Sequence, residues 1–236
     1  MKKLSYLLII MLLVSSISLS QSGKVYDNLL MKSTILKSER KFAIYLPPDY
    51  ETSERSYPVL YLLHGMGDDQ TGWVQFGEIL RITDEAIKNG TATPMIIVMP
   101  DANTERIGYF NTIDGNWNYE DYFFKELLPH VEKTYRIKSK KRFRAISGLS
   151  MGGGGSFMYA LHHPELFSSA CPLSGYVGEL SIENFKQRFL NGNKTYSEEK
   201  TQQYYENHNA ISLINKLDSE KIKSVRWYID CGDDDF

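Results

Sequence analysis

Residues 142–164 read RFRAISGLSMGGGGSFMYALHHP, and this stretch decides the fold. A predicted strand, RFRAIS, runs into Gly148-Leu149-Ser150-Met151-Gly152, and a helical pattern then continues until it stops before Pro164. A strand, a G-x-S-x-G segment and a helix in that order form a sharp turn that lifts the serine hydroxyl out of a sheet. Glycine is needed at both ends of that segment, because a Cβ there would collide with the neighbouring strand and helix. We therefore predict that Ser150 is a nucleophile.

The alternative for Gly152 to Gly155 is a glycine-rich loop that only packs a helix closely or cradles a phosphate. A phosphate loop places Lys-Ser/Thr at the start of its helix, and a dinucleotide loop has G-x-G-x-x-G spacing after an early strand. Neither pattern is present in this segment. The start of the helix offers N–H groups that favour developing negative charge. The Met151 N–H is thus a candidate donor of an oxyanion hole.

A second candidate donor lies in YLLHGMGDDQTGW, residues 61–73. A predicted central strand ends at Leu63, and the glycines that follow let the backbone turn over the sheet. The Met66 N–H can then point at a substrate oxygen. His64 lies at the end of its own strand, and we interpret it as a residue that holds the turn rather than as a base.

Apolar runs of strand length alternate with helical patterns along the rest of the chain. The predicted strands are RKFAIYLPP, YPVLYLLHG, PMIIVMPD, SSACPLSG and SVRWYIDC. Helices are predicted over Val74–Lys88 and in NWNYEDYFFKELLPHVEKTYRI, where Phe123, Leu127, Val131 and Tyr135 recur at every fourth residue. Residues 179–222 are more polar and indicate a helical insertion. This order predicts an α/β fold, with a mostly parallel central sheet and helices on both faces.

The first 20 residues form a predicted signal peptide. A basic start precedes an apolar run from Leu4 to Val14, and Ser18-Leu19-Ser20 fits the small-x-small cleavage rule. The run is short for a membrane span of roughly 20 residues, and an uncleaved anchor is the alternative. We therefore expect an exported protein, periplasmic or secreted, without a stable membrane span after cleavage. The remaining residues, 21–236, fit one domain.

The charge of the whole chain argues against one class of partner. The sequence has 27 basic and 29 acidic side chains, which gives a net charge of −2 at pH 7. Proteins that bind nucleic acid need positive charge to neutralise phosphates. Nucleic acid is therefore not an expected partner.

With the Ser150 turn and the His64-Gly65 loop in place, the sequence resembles the esterase D family of α/β-hydrolases. The resemblance covers nearly all of the chain after residue 20, in FAIYLPPDY, YPVLYLLHGMGDDQTGW, IIVMPD, YFFKELLPHVEKTYRI, residues 142–175 and IDCGDDDF. That family includes feruloyl and acetyl-xylan esterases, S-formylglutathione hydrolase and the antigen 85 mycolyltransferases. It implies an α/β-hydrolase fold, and no cofactor is expected. It also implies an oxyanion hole formed by the N–H groups of Met66 and Met151. A metal-dependent deacetylase is a remote alternative, because the sequence lacks a ligand cluster and the adjacent Asp233 to Asp235 would alternate faces of a continued strand.

The last six residues, CGDDDF, carry three candidate catalytic acids. An acid belongs after a late strand, in the chain order Ser, Asp, His. Its role is to accept the Nδ1–H of the catalytic histidine and to hold that ring in the right tautomer. The residues alone do not choose among Asp233, Asp234 and Asp235. The resemblance selects Asp235, three residues past Gly232, with Asp234 as the alternative.

The base is the part of the site that the sequence does not supply. A serine hydroxyl is a poor nucleophile until a histidine takes its proton, and the resemblance places that histidine some tens of residues beyond the acid. All five histidines precede Asp235, namely His64, His130, His162, His163 and His208. Only His208, in the insertion, is expected to have the freedom to reach the site. We therefore expect a domain that is incomplete at its C-terminus, lacks its last helix and its base, and has little activity in this form.

These features predict an exported serine carboxylesterase that acts through an acyl-enzyme on Ser150. The resemblance and the predicted export favour a small-molecule or polysaccharide ester of the acetyl or feruloyl type as substrate, and disfavour S-formylglutathione, whose hydrolysis is cytosolic. Trp73 and Trp117 could stack on sugar or aromatic acyl groups, or could simply pack. An acyltransferase that uses the same acyl-enzyme and a non-catalytic, glycan-binding relative are the alternatives. The sequence does not specify the oligomeric state.

Overall fold

The computed structural model describes residues 21–190 and 196–233. Its strands are β1 (Lys24–Ser33), β2 (Ser38–Leu46), β3 (Val59–Leu63), β4 (Ile96–Pro100), β5 (Arg144–Leu149), β6 (Ser169–Leu173) and β7 (Arg226–Trp227). They form one sheet in the order β1-β2-β4-β3-β5-β6-β7. β2 pairs antiparallel with β1 and with β4, whereas the pairs from β4 to β7 are parallel. The predicted α/β fold with a mostly parallel sheet is confirmed.

Helices connect these strands and fill the insertion. They are α1 (Gly72–Gln75), α2 (Ile79–Lys88), α3 (Tyr119–Tyr122), α4 (Leu128–Thr134), α5 (Met151–His162), α6 (Ile182–Phe185), α7 (Glu198–Asn207), α8 (Ala210–Lys216) and α9 (Ser219–Lys223). A π-helical segment, Phe123–Leu127, joins α3 to α4, and a second one, Lys186–Leu190, extends α6. The insertion is therefore helical where it is described, as predicted.

Two cores cover the two faces of the sheet. Phe42 and Ile44 of β2 belong to the main core. Ala43 and Tyr45, which alternate with them along the strand, belong to a second core. This alternation is what a strand buried on both sides must show, since successive side chains point to opposite faces. Phe123, Leu127 and Val131 are among the side chains of the α3–α4 helix that are fully buried in the main core. The predicted packing of that helix on the sheet is confirmed.

Some predicted boundaries are wrong. The helix predicted over Val74–Lys88 is divided into α1 and α2, because Glu78 has a left-handed backbone with φ of 45°. At the break Gly77 packs so closely on Trp73 that a Cβ on the glycine would lie 2.6 Å from the indole ring. β1 was not predicted, and most of its residues are exposed at the edge of the sheet. The predicted strand SVRWYIDC is regular only at β7, although Asp230 forms a further parallel bridge with Leu173.

The register of the parallel strands brings four segments to one end of the sheet. Leu63 lies beside Gly148, and Leu149 lies beside Leu173. Asp230 lies beside Leu173 on its other side. The segments that follow β3, β5, β6 and β7 therefore emerge together at the carboxyl ends of the strands, where α/β folds place their ligands.

Candidate active site

Ser150 occupies a backbone conformation that L-amino acids rarely adopt, with φ of 55° and ψ of −110°. Its N–H donates to the Leu173 carbonyl oxygen at 2.9 Å, and its own carbonyl accepts from the Gly154 N–H at 2.9 Å. The residue is exposed, and its hydroxyl makes no hydrogen bond to the side chains or backbone of the described residues. Strained, exposed polar residues of this kind are concentrated at functional sites.

The glycines on either side of Ser150 allow a very close backbone approach. A Cβ on Gly148 would lie 2.4 Å from the Gly152 carbonyl oxygen. A Cβ on Gly152 would lie 2.4 Å from the Leu63 carbonyl oxygen and 2.6 Å from that of His64. A Cβ at either glycine would therefore collide with its neighbours, as the sequence predicts. The atoms that it would meet belong to the backbone and cannot rotate away.

The turn after β3 lies alongside the nucleophile. A Cβ on Gly65 would lie 3.9 Å from the Cβ of Ser150. The next residue, Met66, is 68% exposed. Among the described residues, the N–H groups of Met66 and Met151 have no hydrogen-bond acceptor. The structure thus brings Ser150, Met151 and the turn that contains Met66 together, and leaves both N–H groups available to a ligand.

His64 has both ring nitrogens engaged in holding this turn. Its Nε2 accepts from the Ala102 N–H at 2.9 Å, so Nδ1 carries the proton and donates to the Gly65 carbonyl oxygen at 2.8 Å. Burial lowers the pKa of the imidazole, because the charged form would lose its hydration. His64 is therefore neutral and fixed, in agreement with its interpretation as a loop-holding residue.

A buried ion pair that sequence reasoning missed supports the neighbouring loop. The side chains of Arg40 and Asp101 are both fully buried, with Nη2 and Oδ2 separated by 3.3 Å. Arg40 also donates to the carbonyl oxygens of Asp101 and Thr104, and Asp101 accepts from the Asn103 N–H at 2.8 Å. The Asp101 that ends PMIIVMPD was the only available signal, since an acid directly after a buried strand needs a partner.

The other four histidines make their contacts with residues other than Ser150. His130 packs edge-on against Phe42, and His163 lies against Phe124. His162 is bound to Glu120. The His208 ring is stacked on Tyr204, and its Nδ1 donates a hydrogen bond to the Tyr204 carbonyl oxygen at 2.8 Å. These contacts hold the ring, so His208 does not have the predicted freedom to reach over the site. None of these side chains forms a hydrogen bond with Ser150 in the described part of the chain.

The predicted acids lie at or beyond the end of the described residues. Asp235 and the alternative Asp234 are outside them. The chain that leads there follows β6 closely, since the Asp230 N–H donates to the Pro172 carbonyl oxygen at 3.3 Å and the Ser174 N–H donates to that of Asp230 at 2.7 Å. The acidic turn therefore begins at the same end of the sheet as Ser150. The assignment of Asp235 as the catalytic acid stays a prediction.

Trp73 and Trp117, the two candidate substrate contacts, make packing contacts. Trp73 donates its indole N–H to the Leu63 carbonyl oxygen at 3.0 Å and packs on the second core. Trp117 is 6% exposed, lies in the main core, and has the Arg40 guanidinium 5.3 Å from its ring centre. Of the two roles considered, packing fits both positions.

Residues 21–190 and 196–233 contain neither a metal-binding cluster nor a membrane-spanning helix. No cluster of three or more His, Cys, Asp or Glu side chains is arranged to hold a metal ion there. None of the helices in that part of the chain has the length and apolarity to cross a membrane. The predicted signal peptide lies outside the described residues.

Residues 33–236 match the family named Esterase, described as "Putative esterase". The chain belongs to this esterase family. The match includes both glycine turns, so the site lies within the segment that defines the family.

Several relatives share this esterase domain. An esterase of Mycobacterium tuberculosis (strain CDC 1551 / Oshkosh) is 38% identical over 136 residues, which are 56% of this chain and 28% of that protein. An endo-1,4-beta-xylanase/feruloyl esterase of Xylanibacter ruminicola is 35% identical over 147 residues, which are 58% of this chain and 19% of that protein. The chain thus spans less than a third of the length of these curated relatives.

Solved structures show the same fold. A ferulic acid esterase is 34% identical, with a TM-score of 0.76 over 90% of this chain and 80% of that one. The S-formylglutathione hydrolase of Staphylococcus aureus is 21% identical, with a TM-score of 0.66 over 89% of this chain and 80% of that one. The second likeness concerns the fold alone.

Proposed function

We propose that this protein is an exported serine carboxylesterase that forms an acyl-enzyme on Ser150 and acts on acylated carbohydrates. The observation that carries the proposal is the exposed Ser150 in its strained turn, with two unused backbone N–H groups beside it. A site that holds a nucleophile and oxyanion donors before the substrate arrives is what acyl transfer requires.

The proposed reaction proceeds in two steps. The Ser150 Oγ attacks the ester carbonyl carbon as its proton passes to a histidine base, and the carbonyl oxygen becomes an oxyanion that accepts from the Met66 and Met151 N–H groups. Collapse of this intermediate expels the sugar alcohol, which takes the proton from the base. Water then attacks the acyl-enzyme in the same way and releases the carboxylic acid.

The base and the acid are the parts of this proposal that lie outside the described geometry. An acid at Asp235 would accept from the Nδ1–H of the base. None of the described histidines contacts Ser150, so we infer that the base is supplied by residues other than these. A chain without it would acylate slowly.

The substrate class is inferred from named relatives and from the rim of the site. The ferulic acid esterase is 34% identical over most of the chain, and the Xylanibacter relative has a name that includes a feruloyl esterase. Met66 and Leu149 are 68% and 43% exposed beside the nucleophile. Apolar side chains at that position suit an aromatic or small acyl group.

The experiment uses the protein encoded by the complete reading frame that contains these residues, and its Ser150→Ala variant. Hydrolysis of p-nitrophenyl acetate and ethyl ferulate is measured for both, together with labelling by a fluorophosphonate. We expect the variant to lose the label and at least about 10³-fold in kcat/KM. Unchanged turnover would refute the nucleophile, and an unlabelled parent would favour the non-catalytic, glycan-binding alternative.

A further inference from the structure

A groove of about 710 Å³ lies at the end of the sheet that faces away from Ser150. It is lined by residues at the amino ends of the parallel strands, including Val59 of β3 and Ala145 of β5. Ser150 lies at the carboxyl ends of the same strands. The basic groove, as we call it, has the lining side chains Arg55, Tyr57, Met95, Lys138, Arg142 and Phe143 among others. It is thus separate from the candidate active site.

The charges in the basic groove are of one sign. Arg55, Lys138 and Arg142 line it, and no Asp or Glu is among the described residues that do so. Arg55 is paired with Asp49 at 2.7 Å, but Lys138 and Arg142 form no ion pair with any described residue. This local excess of positive charge cannot be inferred from the net charge of the whole chain, which is −2.

The backbone and aromatic rings hold these cations in place. The Tyr57 N–H donates to the Arg136 carbonyl oxygen at 2.7 Å, and the Lys138 N–H donates to that of Tyr57 at 2.8 Å. The Lys138 Nζ and the Arg142 Cζ each lie 4.8 Å from the centre of the Phe143 ring. Side chains restrained in this way lose less conformational entropy when an anion binds.

We propose that the basic groove binds an acidic polysaccharide through the carboxylates of its uronic acid units. Guanidinium and ammonium groups form charge-assisted hydrogen bonds with carboxylates. The ring of Phe143 and the apolar lining from Pro94 and Met95 suit the C–H faces of sugars. Nucleic acid fits less well, because its density of negative charge is higher than the single carboxylate per sugar of a polyuronate, and the negative charge of the rest of the protein repels it more strongly. An anionic membrane fits less well, because a flat surface does not enter a groove.

The inference rests on the proposed function in one respect, namely that a polysaccharide is the natural substrate. A polymer held in the basic groove would keep its ester groups near the protein and raise their effective concentration at Ser150. Small esters would gain nothing from the groove, because they cannot reach both sites.

The test measures binding in a Ser150→Ala background, so that no turnover occurs. Titration calorimetry with polygalacturonate at low salt compares the parent with Lys138→Gln/Arg142→Gln. We expect the double variant to bind about tenfold more weakly, and the binding of the parent to weaken as salt is raised. The matched control, Lys32→Gln/Lys37→Gln, removes the same charge from exposed residues of the β1–β2 hairpin and should bind as the parent does.

Two further measurements separate the possible outcomes. The charge-conserving variant Lys138→Arg/Arg142→Lys should retain binding, and hydrolysis of p-nitrophenyl acetate by Lys138→Gln/Arg142→Gln with Ser150 intact should match the parent. Equal binding by the double variant and the parent, equal binding of neutral dextran, or binding only of single-stranded DNA or phosphatidylglycerol vesicles would overturn the proposal. Failure here would leave esterase activity intact, whereas failure of the proposed function would appear as unchanged hydrolysis by Ser150→Ala.

Discussion

The imidazole of His162 lies with its Nδ1 2.6 Å from the Glu120 Oε1. Its Nε2 lies 2.8 Å from the Asn207 carbonyl oxygen. Both acceptors require a proton on the ring nitrogen that faces them, so the ring is an imidazolium in this arrangement. One charged side chain at the end of α5 thereby joins the start of α3 to the end of α7, and it ties the insertion to the rest of the domain.

Stability should depend on the charge of His162. Burial disfavours that charge, but the hydrogen bond and the charge of Glu120, with the Asn207 carbonyl, outweigh it and raise the pKa. A raised pKa stabilises the fold fully below the ordinary value of about 6.5, and the gain is lost as the pH rises through the folded-state pKa. We expect His162→Gln to cost about 1–2 kcal/mol at pH 5.5 and progressively less at alkaline pH.

Urea unfolding of the parent and His162→Gln between pH 5.5 and 9 measures this difference. Taking the difference cancels the contribution of the buried His64, whose lowered pKa acts in the opposite direction in both proteins. Part of the contribution of His208 remains, because its ring centre lies 6.1 Å from that of His162, whose charge helps to lower the His208 pKa. Glu120→Gln should show the same trend. A difference that stays constant with pH would mean that His162 packs without carrying charge.

The strain at Ser150 should be measurable as stability. Glycine adopts positive φ without the cost that serine bears there, and this strain is on the order of 1–3 kcal/mol. Glycine also raises the entropy of the unfolded chain, which offsets part of the gain. We expect Ser150→Gly to stabilise the fold by about 1 kcal/mol and Ser150→Ala to change it little, as measured by urea unfolding. A less stable glycine variant would argue that the turn is relaxed.

The two glycine turns should differ in their tolerance of a methyl group. Gly152→Ala would place a Cβ 2.4 Å from the Leu63 carbonyl oxygen, which forces the backbone to move. We expect it to lower the free energy of unfolding by at least about 2 kcal/mol. Gly65→Ala is the matched control, because its nearest neighbour, the Leu149 carbonyl oxygen, would lie 3.6 Å away. Equal losses in the two variants would contradict the close packing of β3 on α5.

Removal of one charge of the Arg40–Asp101 pair should be costly. Asp101→Asn leaves a fully buried guanidinium without its counter-charge, and we expect a loss of about 3 kcal/mol in unfolding free energy. Glu51→Gln breaks the exposed Lys24–Glu51 pair and should change it by less than about 0.5 kcal/mol. A small effect of Asp101→Asn in differential scanning calorimetry would show that the loop after β4 does not depend on this pair.

The features that the sequence predicted are those fixed by local backbone needs. The turn at Ser150 was predictable because a G-x-S-x-G segment between a strand and a helix is typical of one sharp connection, in which Gly148 and Gly152 allow the close approach. The helix across Phe123 was predictable from its spacing, although the π-helical segment was not, since a spacing of four residues fits both an α-helical turn and a wider one. The break at Glu78 was not predicted, because a left-handed backbone at a charged residue has no propensity signal.

The features that the sequence did not predict depend on contacts between distant segments. Arg40 and Asp101 are 61 residues apart, and each alone resembles a surface charge. Trp73 and Trp117 could not be assigned to packing until their neighbours were known. The cations of the basic groove belong to segments before β3 and β5, which only the parallel register brings together.

The turn after β3 can accept a different side chain at position 66 without losing its N–H donor. In the proposed site, residues 66 and 151 act through main-chain N–H groups, which every amino acid except proline provides. The side chain at position 66 points largely into solvent and is 68% exposed. Substitutions at that position can therefore reshape the entrance for different acyl groups while the oxyanion donor is retained, and this makes position 66 the natural starting point for altering specificity by directed evolution.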